Sequence, residues 1–231
     1  MSEQARLSAI LETMISVTRD AARLVLPLFV SGCDSRKKAD GSLVTVADTL
    51  GEATITKALA EAYPSIALLG EESVAEGAEP DLSGPYFCLD PIDGTKQFAA
   101  GDPQWVIALA YLELGRPVAG VICAPALSGR LFAGLADFGG FEMDDAGLRT
   151  PFPNDASRET GDPFIVLRGG HDTAASLKPH LPDGVRTELK EVSSALKFGL
   201  IGVGEADMFV RTGQVWDWDV AAGQAIVEAS G

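Results

Sequence analysis

Two aspartates stand three positions apart after an apolar run in the segment CLDPIDGTKQF, residues 88–98. Asp90 and Asp93 flank a proline whose ring fixes φ and stiffens the turn, so that their carboxylates can converge. Like charges held together are unfavourable unless a cation or a proton compensates them. Gly94 permits a tight turn, and Thr95 is placed to begin a helix whose free N–H groups favour a phosphate. The segment is therefore either a surface turn or a metal site.

Two further acidic pairs have a similar setting. Glu71 and Glu72 end the apolar run SIALLGEE, and Asp217 and Asp219 stand where a C-terminal helical pattern begins. Ligand sites of α/β sheets lie at the carboxyl ends of strands. Hard cations such as Mg²⁺ take a few carboxylates together with substrate oxygens. The three pairs together predict a divalent-metal site that acts on a phosphate.

Each acid also has a simpler interpretation. Asp93 can be an ordinary helix cap, and Asp217 and Asp219 can cap the same helix in either order. Glu72 can be a solvated loop acid.

Composition narrows the class of protein. The 231 residues carry a net charge of −15, which argues against a non-specific nucleic-acid binder. Cys33, Cys88 and Cys123 form no CxxC pair, and their odd number suggests a reducing compartment. The N-terminal segment contains acids and a helical pattern, so it is not a secretory signal, and no apolar run has the length of a membrane span. We expect a cytoplasmic protein.

Hydrophobic periodicity predicts the order of the elements. Helices are expected over residues 3–30 and 45–63, buried strands at 65–72 and 86–94, and an antiparallel meander over 105–143. The basic segment SGCDSRKKADGS is predicted to be a mobile polar loop. The polar stretch 144–163 separates these elements from an alternating pattern with helices predicted at 173–181, 193–206 and 217–230 and strands at 164–170 and 207–213. We therefore predict an α+β domain over residues 1–150 with most metal ligands, and an α/β domain over 151–231 with Asp219 and the substrate-binding residues.

Three motifs carry a resemblance to a known family. GEES (70–73), DPIDGT (90–95) and WDVAAG (218–223) resemble the motifs of the inositol monophosphatase superfamily, in the same order and over nearly the whole chain. The resemblance implies a layered αβαβα sugar-phosphatase-like fold. It also implies a Mg²⁺-dependent, Li⁺-sensitive phosphomonoesterase with two or three ions in each site, and a possible homodimer.

The resemblance assigns roles to individual residues. The residues that match its metal ligands, with Ile92 contributing a backbone carbonyl, are Glu71, Asp90, Ile92, Asp93 and Asp219. Thr95 matches a threonine that contacts water and phosphate, and Asp48 matches an acid that helps Thr95 to activate the water, with Glu71 also catalytic. Without the resemblance, Asp48 is better explained as a first-turn helix acid. The implied mechanism is in-line attack by water, with Mg²⁺ lowering the pKa of that water and no covalent phospho-enzyme.

Finer details resemble the 3′(2′),5′-bisphosphate nucleotidase branch, because DGTKQF is closer to its DGTKEF form than to the DGTTNF form of inositol monophosphatases. That branch converts adenosine 3′,5′-bisphosphate to AMP during sulfate assimilation. The implied substrate-binding residues are Gly94, Thr95, His171, Ser194, Lys197, Arg211 and Asp219. Lys and Arg would provide positive charge for a second phosphate. Lys197 can alternatively be a solvated helix residue and Arg211 a surface charge at a strand end.

Two positions depart from the pattern of that branch, a mild change at Gln97 with no assigned role and a larger one at residues 168–171. Gln97 replaces the usual acid of that branch, and RGGH (168–171) replaces a Ser-Arg-Ser-His run, so that Gly170 lacks a hydroxyl for phosphate. Two alternatives therefore remain, a phosphatase for inositol or another small alcohol phosphate and a catalytically silent binding protein. The expected partner is a small phosphorylated molecule and not a nucleic-acid polymer.

Overall fold

A computed structural model describes residues 2–38, 41–153, 162–170 and 172–231. The α-helices in these ranges are α1 Glu3–Ser31, α2 Val46–Ala62, α3 Glu71–Ala75, α4 Thr95–Ala100, α5 Ala174–Leu177, α6 Leu196–Gly202 and α7 Asp217–Ser230. The strands are β1 Ser35–Lys37, β2 Leu43–Thr45, β3 Ala67–Gly70, β4 Tyr86–Asp93, β5 Val106–Glu113, β6 Arg116–Ala124, β7 Arg130–Leu135, β8 Gly139–Met143, β9 Arg149–Pro151, β10 Phe164–Arg168, β11 Thr187–Glu191 and β12 Met208–Phe209. None of the helices within these ranges is long and apolar enough to cross a membrane.

A seven-stranded sheet with the order β3-β4-β5-β6-β7-β8-β9 forms the centre of the molecule. β3 and β4 are parallel, and each later strand pairs antiparallel with the strand before it. The predicted meander is confirmed, and β9 extends it by one strand.

Helices bury both faces of this sheet. Along β5, Ile107 and Leu109 belong to the core formed with α1 and α2, whereas Val106 and Ala108 belong to the core formed with α6 and α7. This alternation follows from the two-residue period of a strand. A strand that is covered on both sides has a nearly continuous apolar sequence, as β5 has.

A second sheet, β11-β10-β12, is parallel and completes the layers. One of its faces packs against α6 through Ile165 and Leu167, and the other packs Val166 against Leu177 of α5. The order of layers is α1/α2, seven-stranded sheet, α6/α7, three-stranded sheet, α5, which is the αβαβα arrangement that the resemblance implied. Because α6 and α7 also pack on the large sheet, the domain boundary near residue 150 stays a prediction.

Several elements differ from the sequence-based expectation: α3 and β11 are not predicted from the sequence, and the strand expected over 207–213 is limited to β12. Two further differences have a local cause. The segment predicted as a polar loop contains β1, which pairs with β2 in a hairpin. All three residues of β1 are exposed, so the strand lacks the alternation that would have identified it. The helix expected over 193–206 is limited to α6, because Ser194 before it and Gly204 after it have positive φ values of 58° and 75°.

Candidate active site

The predicted acidic cluster lies at the end of β3 and along the last residues of β4. Gly70 pairs with Leu89 in this parallel ladder, so Glu71 leaves β3 next to Asp90, which is still paired with Ala108 of β5. β4 then has an irregularity, because its pairing with β5 shifts register between Asp90 and Asp93. A β-bulge of this kind bends the strand and redirects side chains. The Asp-Pro-Ile-Asp turn is therefore part of a strand rather than a surface turn.

Burial and the charges of neighbouring acids raise the pKa of several carboxylates in this cluster. Burial, followed by the charges of Glu71, Asp93, Asp219 and Asp48, raises the pKa of Asp90 well above its ordinary value. Burial and then Asp219 raise the pKa of Asp93, although the Lys197 charge opposes the shift. The pKa of Asp219 is also raised, by burial first and by Glu71. The acids of all three motifs are thus close enough for their charges to affect one another's pKa.

Asp48 and Thr95 make the contact expected of a catalytic pair. Thr95 Oγ1 donates to Asp48 Oδ1 at 3.0 Å and lies 3.1 Å from the carbonyl oxygen of Ile92. The other carboxylate oxygen of Asp48 accepts from the N–H and hydroxyl of Thr45, the residue that caps α2. Asp48 is therefore both the first-turn acid of α2 and a partner of Thr95. Burial raises its pKa, although the hydrogen bonds from Thr45 and Thr95 oppose that shift.

Backbone N–H groups donate hydrogen bonds to the carboxylates of Asp93 and Asp219. Asp93 Oδ2 accepts from the N–H of Ala195 at 2.5 Å, and Asp219 Oδ2 accepts from that of Trp216 at 2.8 Å. Asp219 therefore contributes to capping α7, as its simpler interpretation suggested. Within the described ranges, no group of three Asp, Glu, Cys or His side chains is close enough together to enclose a metal ion.

Lys38 is a site residue that sequence reasoning missed. Its ammonium lies 2.7 Å from carboxylate oxygens of both Glu71 and Glu72. Burial lowers the pKa of Lys38, but these two hydrogen bonds outweigh it and raise the value. The only sequence signal was its position in the basic run RKK (36–38), which lies 33 residues before Glu71.

Glu72 is not the solvated loop acid of the simpler interpretation. It is 7% exposed. Burial raises its pKa to about 7, even though Lys38 opposes the shift.

A cavity of about 160 Å³ adjoins the carboxylates. Its lining includes Asp93, Ser194, Lys197, Arg211 and Asp219. Three of the implied substrate contacts therefore lie beside two of the implied metal ligands. Gly94, another implied contact, has a φ of 97° and directly precedes α4, which begins at Thr95 as predicted.

Lys197 is not the solvated helix residue of the simpler interpretation. It is 7% exposed, its ammonium lies 4.9 Å from the centre of the Phe209 ring, and it donates to the carbonyl oxygens of Val192 and Ser194. Burial lowers its pKa, with the charge of Asp93 acting in the opposite direction. Arg211 is exposed, which is compatible with both of its interpretations.

Gln97, to which the sequence assigns no role, holds the segment that carries Ser194. Its Nε2 donates to Ser193 Oγ at 3.0 Å, while Gln104 Oε1 accepts from the N–H of Ser193 at the same distance. Together with the Asp93–Ala195 hydrogen bond, these contacts join the DPIDGT region to the cavity wall.

The RGGH departure lies at the end of β10. Arg168 pairs with Glu191 at 2.7 Å and donates to the carbonyl oxygen of Asp172. A Cβ at Gly170 would lie 3.2 Å from Glu191 Oε1, so a serine there would need that side chain to shift. His171 lies outside the described residues, and its role stays a prediction.

The chemistry of the donor set, rather than the placement of its side chains, suits a hard divalent cation. Asp90 and Asp93 are buried carboxylates whose pKa is raised because burial and neighbouring acids disfavour their charged forms. Oxygen ligands of this kind suit Mg²⁺, and a dication would remove the repulsion among them.

Comparison with known proteins relates this chain to one family. The inositol monophosphatase family matches residues 6–231. The 3′(2′),5′-bisphosphate nucleotidase CysQ of Salmonella typhimurium is 29% identical over 223 residues, which cover 96% of this chain and 88% of that protein. Inositol monophosphatase 2 of Saccharomyces cerevisiae is 32% identical over 213 residues, covering 86% of this chain and 71% of that protein. A solved structure of a Thermotoga maritima IMPase has a TM-score of 0.74 and 26% identity, covering 97% of this chain and 83% of that one.

Proposed function

Since this chain belongs to the inositol monophosphatase family, we propose that it is a Mg²⁺-dependent phosphatase that hydrolyses the 3′-phosphate of adenosine 3′,5′-bisphosphate to give AMP. The observation that carries this substrate is the cavity that sets Lys197 and Arg211 beside Asp93 and Asp219. Positive charge next to the carboxylates suits a substrate with a second phosphate. The similarity to a bisphosphate nucleotidase over 96% of the chain supports the same choice.

We assign two or three Mg²⁺ ions to the acidic cluster. The residues proposed to hold them are Glu71, Asp90, Asp93 and Asp219 through their carboxylates and Ile92 through its carbonyl oxygen. Bound Mg²⁺ supplies Lewis-acid stabilisation of the phosphoryl and leaving oxygens and makes a water more acidic.

Asp48 and Thr95 receive the proton of the attacking water. Because the Thr95 hydroxyl donates to Asp48, its oxygen lone pairs remain available to accept from a water. The proton can then pass from the water to Thr95 as that of Thr95 passes to Asp48. Burial raises the pKa of Asp48, which makes the carboxylate a better proton acceptor. Glu71, at the start of α3, is proposed to orient the same water.

A covalent phosphocysteine has no chemical support at this site. Cys88 is near the acids in sequence, but burial, followed by the charge of Asp217, raises the pKa of its thiol to about 12. A thiol of that pKa is neutral at physiological pH and is a poor nucleophile. We therefore assign direct in-line attack by water. We further propose a cytoplasmic enzyme of sulfate assimilation that can form a homodimer.

Phosphate release from adenosine 3′,5′-bisphosphate and from inositol 1-phosphate, measured side by side, tests the assignment. We expect a kcat/KM at least about tenfold higher for the bisphosphate, dependence on Mg²⁺ and inhibition by Li⁺. A preference for the inositol ester would refute the nucleotidase. No Mg²⁺-dependent turnover on any phosphate ester would favour the catalytically silent alternative.

The second candidate is a phosphatase for inositol or another small alcohol phosphate. The identity of 32% to a yeast inositol monophosphatase favours it. It predicts that loss of the Arg211 charge has little effect, since its substrate has only one phosphate.

A further inference from the structure

A second acid of α2 contacts the active-site helix α3. Glu52 stands one helical turn after Asp48, so the two side chains share the face of α2 that is buried. Glu52 is 4% exposed, and its partners belong to the GEES motif, 20 and 21 residues along the chain. None of the sequence motifs includes it.

The Glu52 carboxylate is the capping group of α3. Its Oε2 accepts from the N–H of Glu72 at 2.9 Å, and its Oε1 accepts from the N–H of Ser73 at 2.8 Å. The Ser73 hydroxyl donates to Oε1 as well. The residue that locally precedes α3 is Gly70, which has no side chain to cap the helix. Two first-turn N–H donors of α3, those of Glu72 and Ser73, are thus satisfied by a different helix.

Gly70 makes this contact possible. A Cβ added there would lie 2.6 Å to 2.8 Å from the three carboxylate atoms of Glu52, which is closer than such atoms approach. The φ of Gly70 is −110°, so its backbone does not require glycine. Instead, the absence of a Cβ at Gly70 leaves room for the Glu52 carboxylate.

We propose that Glu52 is a positioning residue for the metal site, and that it fixes Glu71 by holding the next two residues of α3. The proposal rests on the proposed Mg²⁺ site. Residues behind a metal ligand typically change metal affinity or activity 10–100-fold when they are removed. Through α2, the orientation of Glu71 is also tied to that of Asp48.

Substitution of Glu52 by Gln is the first test. An amide has one acceptor oxygen and one NH₂ group. Because N–H donors face both carboxylate oxygens, the NH₂ of Gln must face a donor whichever way it turns. We expect Glu52→Gln to weaken Mg²⁺ binding, measured by calorimetry without substrate, by about 10-fold or more. The matched control is Glu61→Gln, which removes an exposed acid from the same helix and should bind Mg²⁺ as the wild type does.

Gly70 supplies a second test through a double-mutant cycle. Gly70→Ala alone should weaken Mg²⁺ binding by displacing the carboxylate, whereas adding it to Glu52→Ala should have little further effect, since the clash is gone. Gly84→Ala, at a position with open space around the added Cβ, is the control. Additive effects of the two substitutions would overturn the proposal.

Other outcomes would overturn this proposal or refute the proposed function. Mg²⁺ binding by Glu52→Gln equal to that of the wild type would overturn the proposal, even if the variant is less stable. If Glu52→Gln does not fold, Ser73→Ala removes one of the three donors with little change in volume, and an unchanged Mg²⁺ affinity there would overturn it as well. A wild type that binds no Mg²⁺ would instead refute the proposed function.

Discussion

Thr95 Oγ1 lies 3.0 Å from Asp48 Oδ1, although 47 positions separate the two residues along the chain. Thr95 follows the bulged end of β4, and Asp48 lies in the first turn of α2. The contact therefore depends on the packing of α2 against β4. It places a hydroxyl and a buried carboxylate together at the edge of the acidic cluster.

Loss of the Thr95 hydroxyl should slow the chemical step. If the proton of the attacking water passes through Thr95 to Asp48, Thr95→Ala should lower kcat by about 10²–10⁴-fold, the usual contribution of a general base. Asp48→Asn should have a similar effect, and the double variant should be little worse than either one. Thr95→Ser keeps the hydroxyl and is the matched control. Additive losses in the double variant would show that the two residues act separately.

Asp93→Asn separates activity from stability. The substitution removes a charge that burial and Asp219 disfavour, while its amide oxygen can still accept from Ala195. We expect phosphatase activity to fall by at least about 100-fold, because metal stabilisation is worth several kcal/mol. The unfolding temperature without Mg²⁺ should stay the same or rise. Asp183→Asn, at an exposed position, should change neither quantity, and full activity of Asp93→Asn would refute the metal assignment.

The acidic cluster could be predicted from sequence because its residues follow apolar strands and carry recognisable motifs. Lys38 and Glu52 could not. Lys38 precedes a hairpin turn and follows a strand whose residues are all exposed, so no periodicity marks it. Glu52 is one of several acids on a helix, and its partners in α3 lie 20 or more positions away. Its burial depends on tertiary packing, which helical spacing does not specify.

The ends of α6 could not be predicted from the sequence for a different reason. Its apolar periodicity extends over 193–206, but Ser194 adopts a φ of 58°, which local sequence does not favour for serine. Contacts from Asp93, Gln97 and Gln104 hold the neighbouring residues in place. Tertiary hydrogen bonds therefore override a local propensity next to the cavity, where strained backbone is often found.

Glu72 should make the metal-free protein less stable as the pH rises. Its pKa of about 7 in the folded state exceeds the ordinary value of 4.5. The folded state therefore binds a proton more tightly than the unfolded state between these values, and the free energy of unfolding falls as the pH rises through them. The contribution of Glu72 is about 3–4 kcal/mol, since the pKa rises from 4.5 to about 7 and each pKa unit corresponds to about 1.4 kcal/mol. Urea unfolding from pH 4 to pH 8 measures it.

The variant Glu72→Gln isolates this contribution, since the other acids with a raised pKa remain. Its free energy of unfolding should fall less between pH 4 and pH 8 than that of the wild type. Glu79→Gln, which removes an exposed acid, should follow the wild-type curve. Equal slopes for the wild type and Glu72→Gln would contradict the raised pKa.

Gln97 should affect substrate binding through charge and through position, and two substitutions separate these effects. Glu at this position can accept from the Ser193 hydroxyl, so the hydrogen bond persists in reverse and one negative charge is added next to the segment that carries Ser194. Gln97→Glu should therefore raise KM for an anionic substrate by about 3–10-fold, and salt should reduce the effect. Gln97→Leu removes the hydrogen bond without adding charge and should lower kcat/KM by about 5–10-fold, the equivalent of about 1 kcal/mol, with no dependence on salt. Kinetics at 50 mM and 500 mM salt distinguish the two variants, and the same salt response in both would contradict the separation.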